Sequence, residues 1–313
     1  MAVRISIPTP AGAWSRLHGF FHKNAVREAL LAYLLLVPIV FLILALVAYP
    51  FISAIYLSLT EKMVGYPPIF VGLKNYLELF SSAQYRKVVQ NSFIFTFGAI
   101  GIKLGLGMAM ALALQRAVGA SQMFRGLLLI PWVIPTVVTA LTWWWLFDLL
   151  RGLINTFLLD IGLLSSGIHW LGNPALAMLS VIIANVWRGF PFFGVSFLAA
   201  MQTIPQDLYE AAEVDGASAR QQFWHITLPS IRGVIIVVTL LSTIWTLNDF
   251  NIVYIMTRGG PGTSTHIFAT YSYELGIQSQ RWGLAVAASM YSVPLLALTI
   301  VLISRYLQSE EAE

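Results

Sequence analysis

The residues of this chain that could do chemistry are few, and their spacing excludes more than it offers. Five histidines, His18, His22, His169, His225 and His266, stand singly, with no H-E-x-x-H pair and no acid pair inside an apolar run. Cysteine is absent, which removes thiolate metal sites, disulfides and cysteine nucleophiles together. No G-x-x-x-x-G-K-S/T occurs, so the chain cannot build a P-loop phosphate cradle. The glycine-rich run Gly259–Gly262 lacks the lysine and reads as a turn. No catalytic residue, metal site or cofactor site is expected. Two polar groups remain in apolar surroundings. One is the block DLYEAAEVDGASARQQFWHITLP, Asp207 to Pro229. The other is Lys103, Arg188 and Asp249, ionisable residues inside apolar runs and functional candidates on that ground.

The elements that must position them are membrane spans. Hydrophobic residues make up 58% of the chain and charged ones 10%, against about 25% charged in soluble domains. With a mean hydropathy of +0.76, too little polar surface remains to cover a large soluble core. Six apolar runs fall at about 31–55, 92–114, 125–148, 174–200, 233–255 and 284–305, each near the roughly 20 residues a bilayer requires. Backbone groups in lipid must pair within their own segment, so these runs are helices. They do not alternate as a β-barrel would. The expected fold is all-α and polytopic, with six transmembrane helices over residues 31–306, flanked by tails at 1–30 and 307–313.

The formal charge of +4 comes from 18 basic residues that are scattered, with no cluster and no aromatic–basic stripe. Nucleic acid is not an expected partner. Arg4, Arg16, Lys23 and Arg27 against Glu28 place the N-terminal tail on the cytoplasmic side. The segments Gln115–Phe124 and 201–232 then lie inside, and the loops 56–91, 149–173 and 256–283 outside. Gly101 and Gly105, four apart, permit close helix contact or simply reflect the many glycines that membrane helices hold. The three tryptophans of Thr142–Asp148 predict a membrane-surface belt rather than a sugar platform.

The polar block reads as two short cytoplasmic helices. Thr203 and Gln206 form a capping-box pattern around Pro205, and Asp207 and Glu210 follow where a helix dipole favours negative charge. Ala211 and Ala212 add helix propensity with little bulk. Gly216 ends the first helix, Ser218 and Gln221 repeat the capping pattern, and Pro229 halts the second. A helix showing small alanines beside acids suits a groove on another protein. An interfacial helix meant for anionic lipid would be richer in Lys and Arg.

At these residues the chain resembles a known family. Glu210–Ala211–Ala212, then Gly216, then Ile226, Leu228 and Pro229 meet every fixed position of EAA-x3-G-x9-I-x-L-P, the signature of bacterial ABC importer permeases. FVGLKNY (Phe70–Tyr76), NVWRGFPFF (Asn185–Phe193) and TRGGPGTST (Thr257–Thr265) are similar to the first membrane subunit of carbohydrate importers of the maltose and glycerol-3-phosphate type. The resemblance runs from about residue 30 onward. It implies a type I importer permease in the bacterial inner membrane, paired with a second, similar permease as a heterodimer. Two ATPase subunits would bind the ATP, and an extracytoplasmic solute-binding protein would deliver a sugar. The block at about 203–229 would be the coupling loop, with Glu210, Ala211, Ala212, Asp215 and Gly216 docking on the ATPase.

In the maltose-transporting relatives, sugar contacts flank that block. The resemblance carries them to Asn185, Gly189, Phe192 and Asn248, with Arg188 at a neighbouring position where the relative has an apolar residue. Asn suits hydroxyls, and a phenyl face suits a sugar ring. Ion-coupled secondary carriage is the competing class; it would call for paired halves and broken helices holding ion ligands. No internal repeat is evident, and the EAA block has no role in a carrier.

Overall fold

The computed structural model describes residues 28–116, 121–294, 296–298, 300–301 and 305. The tail expected over 1–30 lies outside them except for its last three residues, as does the 307–313 tail and part of the Gln115–Phe124 loop. The chain divides into two units, Met1–Tyr56 and Leu57–Glu313. The first contributes most of helix α1 (Glu28–Ser58), which contains a π-turn at Leu44–Ala48. Its 31 residues span about 46 Å at 1.5 Å per residue, more than a bilayer core.

The second unit opens with a small antiparallel hairpin, β1 (Thr60–Glu61) and β2 (Ile69–Phe70), then helix α2 (Lys74–Ser81). Helix α3 (Ala83–Arg116) follows. The apolar run expected as the third span is broken into α4 (Ser121–Val133) and α5 (Thr136–Leu146), which meet at 95°. Pro135 explains the break: it cannot donate to the preceding turn, and it drives Ile134 out of helical geometry. A short helix α6 (Leu153–Asp160) precedes α7 (Pro174–Met201), whose N-terminus is capped by the Asn173 side chain.

The polar block forms α8 (Gln206–Val214) and α9 (Ala219–Ser230), the latter containing a π-turn at Phe223–Thr227. The fifth expected span, 233–255, is also interrupted. Helix α10 (Arg232–Leu247) stops, Asn248 and Asp249 leave helical geometry, and α11 (Phe250–Thr257) restarts with Asp249 as its N-cap. After a turn come α12 (Phe268–Tyr273), continued by a π-turn at Glu274–Gln278, and α13 (Trp282–Met290). Among the described residues, α1, α3 and α7 are each long and apolar enough to cross a membrane, and the two bent pairs α4–α5 and α9–α10 qualify when each is taken as one span. The sixth run forms a shorter apolar helix.

The core of the second unit is the pairing of α3 with α7. Gly107 receives Phe193, whose Cβ would lie 2.4 Å from a methyl there, and Gly194 receives Met110. Phe193 and Phe197 are almost fully buried behind this seam. The close contact that Gly101 and Gly105 permit is not made within the described chain, where a Cβ at either would meet nothing within 4 Å. Gly107, which lets the backbones approach, lies about 200° around the same helix from Gly105, on its other side. Of the three tryptophans, Trp144 and Trp145 are exposed as a belt would require. Trp143 turns inward against Phe147 and Trp187.

Candidate functional site

Both broken spans open on one cavity of about 430 Å³. That volume falls in the range of small-molecule sites. Trp132 and Thr136 flank the first break, and Asn248 and Asp249 form the second. Irregular backbone within a membrane is tolerated where it lines such a cavity.

One wall is polar. Asn185, 5% exposed on α7, donates from Nδ2 to Asp249 Oδ2 at 2.8 Å. Asp249 Oδ1 accepts from the Ile252 amide at 3.3 Å, which caps α11. Lys103, on α3 and 3% exposed, donates from Nζ to Thr246 Oγ1 at 3.0 Å, gripping the last turn of α10. Gly189 exists to admit that lysine: a Cβ there would lie 2.6 Å from Lys103 Cε. Arg188 is half-buried and its Nε finds no acceptor; the Asn185 Oδ1 is likewise unpartnered. Two cations and one carboxylate therefore share the cavity, with hydrogen-bonding capacity to spare. The other wall is aromatic. Phe192 stacks on Trp132 at 5.8 Å and 16°, and its ring lies 5.2 Å from Trp245.

All five residues expected to form a substrate pathway, Asn185, Arg188, Gly189, Phe192 and Asn248, line this one cavity. Gly189 does so by making room for Lys103. Asn248 is exposed and donates to the Ile244 carbonyl. Sequence reasoning named Lys103 and Asp249 only as embedded charges, and it missed Trp132, Thr136, Trp245 and Thr246. The signal available for Asp249 was its place before an apolar octet, as an N-cap.

The polar block lies at the far end of α3. Gln115 of α3 shares a second cavity, of about 490 Å³, with Tyr209, Glu213 and Phe223. Helix α8 ends in a full Schellman motif: Gly216 at φ +80° donates to Glu213 O, and Ala217 donates to Ala212 O at 2.8 Å. Ser218 and Gln221 form the expected capping box. The expected box at Thr203 and Gln206 does not form. Pro205 is the N-cap, and Thr203 Oγ1 donates back to the Ala200 carbonyl at the end of α7. Pro229 does not stop the second helix either. It sits in the turn after the π-turn, where its missing N–H costs little, and the 65° bend comes two residues later at Ile231. Glu210, Ala211, Asp215 and Gly216 are exposed and Ala212 is half-buried. Tyr209 ties α8 to α9 through Thr227 Oγ1 at 2.9 Å. Val214, at 88% exposed, completes an outward face that sequence reasoning had not included. Replacing Ser218 with alanine is expected to loosen α9 by about 1 kcal/mol, read as roughly fivefold faster hydrogen exchange at the Gln221 amide.

Long apolar helices, two interrupted spans around a polar and aromatic cavity, and a protruding polar hairpin of helices define a membrane transport subunit. Residues 101–309 match the family described as binding-protein-dependent transport system inner membrane component, and the chain belongs to that family. It is 37% identical over 284 residues to the trehalose/maltose transport system permease protein MalF of Thermococcus litoralis, covering 89% of this chain and 94% of that one. It is 33% identical to the sulfoquinovosyl glycerol transport system permease protein SmoG of Agrobacterium fabrum, covering 88% and 90%. Its fold superposes, at a TM-score of 0.79 and 24% identity, on a chain of a bacterial ABC transporter involved in the import of the acidic polysaccharide alginate, covering 92% of this chain and 98% of that one. The chain is thus a multi-pass inner-membrane permease of type I fold. As a permease subunit it is a transport component and not an enzyme.

Proposed function

We propose that this chain forms half of the translocation pathway of an ATP-driven importer for a sugar or sugar-like solute. A second, similar permease completes the pathway as a heterodimer, two ATPase subunits supply the energy, and a solute-binding protein delivers the sugar. The N-terminus lies inside, so the coupling loop at about 203–229 meets the ATPase through Glu210, Ala211, Ala212, Asp215 and Gly216. Asn185, Arg188, Gly189, Phe192 and Asn248 face the sugar. The named sugar and polysaccharide transport of the relatives supports the substrate class.

The observation that carries this reading is the two-walled cavity. Its aromatic wall offers a face to the apolar side of a pyranose, and its amide and cationic wall offers partners to hydroxyls. The test is reconstitution of the chain with its partner subunits in proteoliposomes. Uptake should require ATP and the loaded binding protein; uptake driven by an ion gradient without ATP would instead establish a secondary carrier. Phe192→Ala is expected to raise the half-saturating sugar concentration about two- to twelvefold, from about 0.5–1.5 kcal/mol of lost ring contact. Binding-protein affinity, measured separately, should not change.

A further inference from the structure

The end of the molecule remote from the coupling block carries an apolar surface that transport chemistry does not use. Leu73, the N-cap of α2, and Leu77 and Phe80 within it recur at i, i+4 and i+7 and so share one face. They are 64%, 68% and 70% exposed. Ile69 and Phe70 of β2, on opposite faces of the strand, are also exposed, at 63% and 65%. The opposite face of α2 packs inward through Asn75 and Leu79, with Asn75 Nδ2 donating to the Ser58 and Thr60 carbonyls. We infer that α2 and the hairpin form a foot embedded in the headgroup–acyl boundary of the bilayer, with phospholipid as its partner.

The height of α2 in the molecule supports that partner. Tyr85, at the start of α3, donates from its hydroxyl to the Ala288 carbonyl at 2.7 Å. Tyr291 donates to the Tyr76 carbonyl at 2.9 Å, and Glu78 pairs with Arg281 at 2.8 Å. Helix α2 is therefore level with residues 281–291, where the chain enters its last apolar helix. The other end of α3, at Gln115, adjoins the coupling block, so α2 stands at the opposite membrane surface. Trp282, 43% exposed, marks the same level, as interfacial tryptophans do.

The charges of α2 are already used. Lys74 pairs with Glu61 at 3.0 Å and Glu78 with Arg281. The outward stripe thus holds large apolar side chains without an ion to desolvate on entering lipid. Facing water, so continuous an apolar patch would invite aggregation. Lodged in lipid, it fixes the height at which α3 enters the membrane.

The chain has no cysteine, so single spin labels report without background. Labels at Leu77→Cys and Phe80→Cys are placed in the assembled transporter in proteoliposomes, with Ile94→Cys, 52% exposed within the apolar span of α3, as the depth reference. Collision rates with molecular oxygen and with a water-soluble nickel chelate are then compared. Both test labels should favour oxygen, at a shallower depth than Ile94. Nickel-dominated collisions would place the stripe in water and overturn the inference. Protection from both quenchers would place a protein subunit on it and overturn it equally. Either label suffices, and neither result depends on which solute is transported.

Discussion

Replacing Gly216 with valine is expected to leave the protein in the membrane while uptake falls at least tenfold and ATP hydrolysis stops responding to the loaded binding protein. The reason is conformational. Gly216 sits at φ +80°, and a Cβ there would meet no neighbour within 4 Å. Substitution therefore creates no clash with surrounding atoms. It taxes only the left-handed backbone, by about 1–2 kcal/mol for an ordinary residue and more when β-branched. The Schellman bonds from Gly216 and Ala217 set the angle between α8 and α9, so the strain is relieved by re-aiming α8. Gly216→Asn should be mild, since asparagine tolerates this region, and Gly216→Ala intermediate. Glu210→Ala should uncouple without altering the backbone, because Glu210 is exposed on α8. Paired measurements of uptake and ATPase rate check the series. Normal coupling in both Gly216→Val and Glu210→Ala would refute the assignment of this block to the ATPase.

The block was legible because its signals are local. Ser218 and Gln221 lie three apart, and Gly216 closes a nine-residue helix. The Thr203–Gln206 pattern failed for a local reason too: Pro205 between them takes the N-cap, and the hydroxyl prefers the Ala200 carbonyl. The broken spans were not legible as breaks. Hydropathy averages over some twenty residues, and two residues such as Asn248 and Asp249 hardly lower it. The cavity was less legible still. Lys103 and Thr246 are 143 residues apart yet hydrogen-bonded, and no periodicity within either helix announces the other. Resemblance located Asn185 and Gly189 but not Lys103, whose side chain fills the space a Cβ at Gly189 would need. Broken helices, expected of a secondary carrier, occur here as well. They mark a cavity within a membrane protein more generally than they mark a mode of energy coupling.

Asp249→Ala is expected to lower the yield of assembled transporter and to cut uptake about 100-fold or more. The carboxylate serves three helices at once: it caps α11, receives Asn185 from α7, and is the one anion among the described residues lining a cavity that also holds Lys103 and Arg188. Removing it uncaps α11, frees the Asn185 amide and leaves Lys103 and Arg188 with no compensating charge in the cavity. Asp249→Asn preserves the hydrogen-bonding shape but not the charge, so it separates the two contributions. If charge dominates, Asp249→Asn should be nearly as damaging as Asp249→Ala, and adding Lys103→Met should recover part of the loss by returning the cavity to its original net charge. If capping dominates, Asp249→Asn should be mild and Lys103→Met should add its own defect. Lys103→Met alone should be tolerated better than Asp249→Ala, because Arg188 still balances the carboxylate. The sign of the coupling in this double-mutant cycle decides between an electrostatic and a purely structural role for the second break.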